Sequence, residues 1–180
     1  MEIKTKNLIL RELNSKDCLD VLEIFSNIKI TKWMLKYRHP FTKEHAKFHI
    51  KKAIKSSKEK IREYYTFGIE LKKEKKLVGQ IGLKVDLNQN IGELNYALNE
   101  NYQKRGIGSE ALEKVLEFAF KKLKLRKVSA GYYPENKPSR KLLEKFGFKK
   151  EGYLREEAIC KADMKVKDVV MNGLLRKEYK

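Results

Sequence analysis

Cysteine is almost missing from this sequence. Cys18 and Cys160 are its only two among 180 residues, too few for a disulfide scaffold, and neither sits in a C-x-x-C pair. Long apolar runs are missing too: no eighteen consecutive apolar residues occur, so no membrane span is expected. Met1-Glu2-Ile3-Lys4-Thr5-Lys6 carries no apolar core of the signal-peptide kind, and the cytoplasm is the expected location. Repeats, low-complexity tracts and interdomain linkers are absent, so residues 1–180 are expected to form one domain, a length that suits a single well-packed core. Acidic residues are in deficit, with 24 Asp and Glu against 42 Lys and Arg and a formal net charge of +18. That excess concentrates anions near the surface. It is spread along the chain, mostly as lysine, and fits a lysine-biased composition as well as a specific partner; no direct nucleic-acid role is expected.

What stands out is Gln103-Lys104-Arg105-Gly106-Ile107-Gly108-Ser109. It opens a helix with bare backbone shortly after a predicted strand. The first N–H groups of a helix lack intrahelical partners and lie at the positive end of its dipole, so an anion placed there satisfies both. Gly106 and Gly108 allow a tight turn and close approach of a pyrophosphate, while Lys104 and Arg105 add charge. Downstream, Ala111, Leu112, Val115, Leu116, Ala119, Phe120 and Leu123 recur at helical spacing. Gly106-x-Gly108-x-x-Ala111 also fits the dinucleotide fingerprint G-x-G-x-x-G/A. That reading needs an acid about twenty residues on, where Arg126-Lys127-Val128 stands instead. The bland alternative is a glycine-containing loop before a surface helix. No G-x-x-x-x-G-K-[ST] pattern occurs.

The remaining elements follow from pattern. Leu8 to Leu13 predicts a strand, and Ser15 or Asp17 a cap for a helix that turns Leu19, Leu22, Ile24 and Phe25 inward. Thr42 caps a second helix with Ala46, Ile50, Ala53 and Ile54 on one face. Tyr65–Leu71 and Leu77–Val85 predict a hairpin, and 91–98 the strand before the glycines, with Leu94, Tyr96 and Leu98 on one side and Glu93, Asn95 and Ala97 on the other. Lys127–Tyr132, Phe148–Leu154 and Lys165–Leu175 complete seven strands. Asn136 caps a short helix that Gly147 stops. Four helices and an antiparallel meander feeding a crossover indicate a mixed α/β (α+β) fold. His45 and His49 are four apart on a helix, but no glutamate base or third ligand accompanies them, so no metal is implied and a surface helix is the better reading.

These residues resemble a family. Gln103-x-x-Gly106-x-Gly108 is similar to the acetyl-coenzyme A signature Q/R-x-x-G-x-G/A of the GNAT N-acetyltransferases. Asn136-Lys137-Pro138-Ser139 with Leu143-Glu144-Lys145-Phe146-Gly147-Phe148 is similar to the next motif of their RimJ/RimL-like branch, which acetylates protein N-termini. Thr5-x-Asn7-Leu8-x-Leu10-Arg11 and Asp168-Val169-Val170-Met171-x-Gly173-Leu174-Leu175 also look like that branch. The resemblance spans nearly the whole chain in order. It implies the GNAT fold, a mostly antiparallel twisted sheet of about seven strands flanked by about four helices.

The resemblance implies acetyl-CoA as co-substrate and a primary amine as acceptor. It places the coenzyme along Gln103, Lys104, Arg105, Gly106, Ile107, Gly108 and Ser109, with Asn136 and Ser139 on the pantetheine arm and sulfur. Main-chain groups of Asn95, Ala97 and Leu98 would hold the thioester carbonyl where the strand splays from its neighbour. Glu93 is the candidate base, alone or through water, against a solvated strand carboxylate as the alternative. A tyrosine common in the family would fall at position 143, where this chain has Leu143; Ser139 is the remaining hydroxyl on that helix. Asn136 and Ser139 can equally serve as helix-capping residues. Arg140 either adds charge near the phosphates or belongs to a solvated face. Trp33 and Tyr37 lie in a segment that walls the acceptor site in the family, or are tucked onto the core. The expected acceptor is a protein N-terminal α-amine of the ribosomal-protein type. The alternatives are a small amine (polyamine, amino acid or antibiotic) and a basic ribosome- or RNA-binding module without turnover. A monomer or a homodimer is compatible with the sequence.

Overall fold

A computed structural model describes residues 1–179. Its eight strands form one sheet in the order β1-β2-β3-β4-β5-β6-β8-β7. They are β1 (Glu2–Lys4), β2 (Leu8–Glu12), β3 (Tyr64–Leu71), β4 (Lys76–Asp86), β5 (Ile91–Leu98), β6 (Lys127–Tyr132), β7 (Lys149–Ile159) and β8 (Val166–Leu175). Every pairing is antiparallel except β5 with β6. The strand beyond the seven expected is β1, whose three residues are too few for a period-2 pattern and which exists by pairing with β2. The far edge, β7, has an irregular register between Leu154 and Ala158, and Glu156 there is at φ 50.

Helices α1 (Cys18–Ser26), α2 (Ile28–Thr31) and α3 (Lys43–Ser57) come before β3, α4 (Ile107–Glu117) joins β5 to β6, and α5 (Lys137–Lys145) joins β6 to β7. In α1 the buried residues are Val21, Ile24 and Phe25, whereas Leu19 is 68% exposed. Neither Ser15 nor Asp17 caps α1 with its side chain. Asn14 caps the short 3₁₀ turn before it, and Asp17 returns a bond to the Asn14 N–H while pairing with Arg11. Thr42 caps α3, as its position before the apolar stripe predicts. The α4 periodicity continues past Glu117 as a π turn, Phe118–Lys122. Phe118, Ala119 and Phe120 are consecutive and all buried, more than the narrow apolar stripe of an α-helix can take, and the wider turn accommodates them.

The sheet has a core on each face. On one, α4 and α5 cover Leu10, Phe67, Ile81, Leu83, Leu94 and Val128 through Leu112, Leu116 and Leu143. On the other, α1 and α3 cover Leu13, Leu77 and Ala97 through Val21, Phe25 and Ile50. β5 therefore carries both layers, Leu94 and Tyr96 on the α4/α5 side and Ala97 on the α1/α3 side.

β5 is held close to β4 at Gly79, where a Cβ would stand 2.6 Å from the Ala97 carbonyl oxygen and 2.9 Å from Leu98 Cδ1. Backbone cannot swing aside as a side chain can. Gly79→Ala is expected to lose about 1–3 kcal/mol of stability in urea unfolding, the usual cost of overpacking; an unchanged midpoint would show that β5 yields.

Candidate active site

The β5–β6 pair runs for only three residues, Ile91 with Lys127, Gly92 with Val128 and Glu93 with Ser129. Beyond it each strand keeps its outer partner, β5 pairing with β4 to Leu98 and β6 with β8 to Tyr132. A V-shaped gap opens between them. Ser129 Oγ donates to the Gly92 carbonyl at 3.2 Å, and the Asn99 N–H donates to the Val78 carbonyl on β4 at 2.8 Å. Successive strand residues turn their amides to opposite edges. Gly92, Leu94, Tyr96 and Leu98 thus face β6 or the gap, and Glu93, Asn95 and Ala97 face β4. This corrects the assignment of main-chain contacts to Asn95 and Ala97, whose amides belong to the β4 ladder. Leu98 does face the gap, its carbonyl accepting from Gln103 Nε2 at 3.1 Å. Tyr96, which the sequence reading passed over, faces the gap with it.

At the open end of the V the chain turns through Lys104, at φ 62, and Gly106, at φ 79. Gly106 is the N-cap residue of α4 and supplies no side-chain cap; the first helical bond runs from the Glu110 N–H to its carbonyl at 3.0 Å. The leading N–H groups of α4 are therefore free of side-chain capping, and a Cβ on Gly106 would meet nothing within 4 Å. A left-handed glycine beside open space, with exposed Lys104 and Arg105 flanking it, is a cradle of the shape and charge that a pyrophosphate needs. Arg105 lies over the Tyr102 ring at 5.2 Å, and Lys145 reaches Ser109 Oγ at 3.2 Å. Ile107 is buried and anchors the helix start. Arg140 is exposed and paired with Glu144 at 2.7 Å, on the helix rather than at the loop.

Across the gap, the Asn136 side chain caps α5 by accepting from the Ser139 N–H at 3.2 Å. Ser139 is 8% exposed, and its hydroxyl is 2.7 Å from the hydroxyl of Tyr96. Burial pushes the Tyr96 phenol up to about 12, against a partly offsetting bond from Ser139.

The α1/α3 side of β5 carries Glu93 and Asn95. Glu93 is exposed and has no hydrogen bond or ion pair among the described residues. The Asn95 side chain lies over Gly82, where a Cβ would stand 2.7 Å from Oδ1. Trp33 and Tyr37 fall in separate clusters. Trp33 packs with Tyr133, Ala158, Cys160 and Val169, while Tyr37 stacks on Phe25 at 4.2 Å and 6°. His49 also corrects the sequence reading: it is half-buried rather than on a surface face, Nε2 lies 2.7 Å from Gln80 Oε1, and its ring is 5.7 Å from both Phe25 and Tyr37. Gln80 sits opposite Ala97 in the β4–β5 register. A polar pair thus lies under this face of the gap. His45 instead accepts from the Thr42 N–H as part of the α3 cap.

Comparison with known proteins identifies the frame. The family model described as an acetyltransferase (GNAT) domain matches residues 7–149. An uncharacterized N-acetyltransferase, p20, of Bacillus licheniformis is 33% identical over 177 residues, 97% of this chain and 96% of that protein. The crystal structure of a GNAT-family acetyltransferase from Bacillus anthracis superposes with a TM-score of 0.86 at 28% identity, covering 99% of this chain and 100% of the other. The [ribosomal protein uS5]-alanine N-acetyltransferase of Escherichia coli is 29% identical over 86 residues, 48% of this chain and 43% of that enzyme.

Burial, foremost, and the nearby Lys52 charge hold the His49 imidazole below its ordinary value, against the Gln80 bond. As the pH falls through the ordinary value near ~6.5, the unfolded chain takes up a proton that the folded chain refuses, and stability declines. The fall in urea midpoint between neutral and mildly acid pH should be smaller in His49→Gln than in wild type. Equal falls would mean that His49 titrates alike folded and unfolded.

Proposed function

The chain belongs to the acetyltransferase (GNAT) family, and from that membership we propose that it transfers the acetyl group of acetyl-CoA to a protein N-terminal α-amine in the manner of the RimJ/RimL-like branch. The observation that carries the reading is the gap between β5 and β6 ending at the left-handed Gly106 and the uncapped start of α4. GNAT acetyltransferases use acetyl-CoA, whose thioester carbonyl and long polar arm call for an open strand edge and whose pyrophosphate calls for a free helix start at the end of it. The similarity to the uS5-alanine enzyme supports the choice of acceptor.

In this reading the N–H groups at the start of α4, from Ile107 to Ser109, take the pyrophosphate, with Lys104 and Arg105 supplying charge. Asn136 and the open edge of β5 receive the pantetheine arm, and Gln103 braces the loop through the Leu98 carbonyl. Acetyl-CoA brings an activated acyl group; the amine must reach it uncharged. Tyr96 and Leu98 point their N–H groups into the gap and would polarise the carbonyl, since donors fixed in place cost no reorganisation during reaction. Glu93 would accept the amine proton, directly or through water, from the opposite side of β5. Trp33 and Tyr37 would border the acceptor entrance from their two clusters.

Isothermal titration with acetyl-CoA tests the reading, with Gly106→Asp and Gly108→Asp as controls. Saturable binding is expected, weakened at least about tenfold, or about 1.4 kcal/mol, by either aspartate, which sets a negative charge at the helix start. A free-thiol assay with N-terminal peptides and small amines then identifies the acceptor. No binding at millimolar coenzyme would end the acetyltransferase reading; turnover with small amines alone would move the acceptor class.

A further inference from the structure

Coenzyme A leaves as a thiol, so the sulfur needs a proton when the acyl group departs. Leu143 is 1% exposed, sits in the α4/α5-side core and carries no hydroxyl. Hydroxyls on the gap side of α5 therefore reduce to Ser139, and Ser139 is not alone. Tyr96 reaches across from β5 to bring its oxygen within 2.7 Å, and either atom can be the donor. The two residues are 43 apart in sequence and stand on the two walls of the gap.

Such a pair has two hydroxyl protons. One is committed to the mutual bond, and the other is free for a third partner. Ser139 is 8% exposed, Tyr96 is half-buried, and the Asn136 cap fixes the first turn of α5 that carries Ser139. Burial favours the neutral phenol, so Tyr96 holds its proton at neutral pH and remains a donor.

We propose that Tyr96 is a positioning residue for this step: its hydroxyl holds that of Ser139 in the orientation that donates a hydrogen bond to the departing thiolate of coenzyme A. This rests on the acetyltransferase reading above. As the thioester C–S bond breaks and its electron pair goes to sulfur, the Ser139 hydroxyl, held by Tyr96, donates a hydrogen bond to the developing thiolate. Tyr96 keeps its own proton throughout, and the proton that the acceptor nitrogen releases to solvent is the one that ends on sulfur. The net change is one C–N bond formed, one C–S bond broken and one proton moved from nitrogen to sulfur.

The test needs no acceptor. The free-thiol form of coenzyme A is bound to wild type, Tyr96→Phe, Ser139→Ala and the double variant, and the thiolate is followed by its ultraviolet absorbance as pH is raised. A hydroxyl aimed at the sulfur stabilises the thiolate, so the bound thiol should titrate higher by about one unit, a tenfold change in the equilibrium, in each single variant. Affinity at acid pH, where the thiol is protonated, should stay within about twofold of wild type, since a neutral thiol gains little from the donor. Because Tyr96 works through Ser139, the double variant should match Ser139→Ala, and Ser139→Thr should restore the wild-type titration. An unmoved thiol titration in Tyr96→Phe, or additive shifts in the double variant, would overturn the proposal while leaving the acetyltransferase reading intact. Failure of wild type to bind coenzyme A would sink that reading itself. Should Tyr96→Phe not fold, the Ser139→Ala and Ser139→Thr pair decides: no shift in the first, or no rescue in the second, overturns the pair as the donor.

Discussion

The structure turns on one short parallel pairing. Strands β5 and β6 are tied at Ile91–Lys127, Gly92–Val128 and Glu93–Ser129 and then part. Each is more strongly committed elsewhere, β5 to β4 over eight residue pairs and β6 to β8 over six. A sheet pulled from both sides must open where the central ladder is shortest. The crossover through α4 reinforces this: a parallel connection needs a helix between its strands, and α4 packs beneath β2 to β5 through Ala111, Leu112, Val115 and Leu116. The gap is thus a product of topology, and the side chains around it are placed by elements that have other reasons to be where they are.

An open strand edge in the middle of a sheet is costly unless something satisfies it, because buried backbone donors and acceptors want partners. Here Gln103 satisfies part of the edge by bonding the Leu98 carbonyl, and the Tyr96 and Ser139 hydroxyls bond each other across the gap. What is left is a groove with fixed donors on a rigid element, leading to free N–H groups at the start of α4. Rigid donors in a narrow groove recognise an extended polar ligand by shape and hydrogen bonding together, a combination that neither a flat strand edge nor an isolated helix start provides. The large positive charge acts on top of this. Most ion pairs involve exposed groups, such as Lys29 with Glu100 and Arg140 with Glu144, so they contribute little to stability, and the uncompensated lysines remain free to draw in a polyanion.

How far the sequence reached depended on the range over which each feature is set. The glycine loop, the stripe of α4, the Thr42 and Asn136 caps and the Gly147 stop are decided within a few residues, and all of them appear in the fold. Strand β1 and the π turn at Phe118 were not legible, the first because three residues hold no period and the second because their packing partners set the turn width. Inside the site the limits are sharper. Pattern alone puts Glu93, Asn95 and Ala97 on one face of β5, yet which amides face the gap follows only from which neighbour each residue bonds. The Tyr96–Ser139 and His49–Gln80 pairs join residues 43 and 31 apart, and no local rule predicts either. A tyrosine within an otherwise aliphatic strand face was the one available signal for the first.

The departure at position 143 has a physical logic of its own. Ser139 and Leu143 are one helical turn apart and so share a face of α5, but they meet different surroundings. Leu143 lies under the sheet among core residues, where a hydroxyl would have to find a buried partner or cost stability. Ser139 lies in the first turn, where the positive end of the helix dipole favours a nearby anion such as a thiolate. A hydroxyl in the first turn is therefore better placed to act on an anion than one a turn further along. From the opposite wall Tyr96 crosses from β5 and meets the Ser139 hydroxyl at 2.7 Å. The polar contact at this end of α5 thus comes from the strand, and the helix face one turn on, at Leu143, is left to the core.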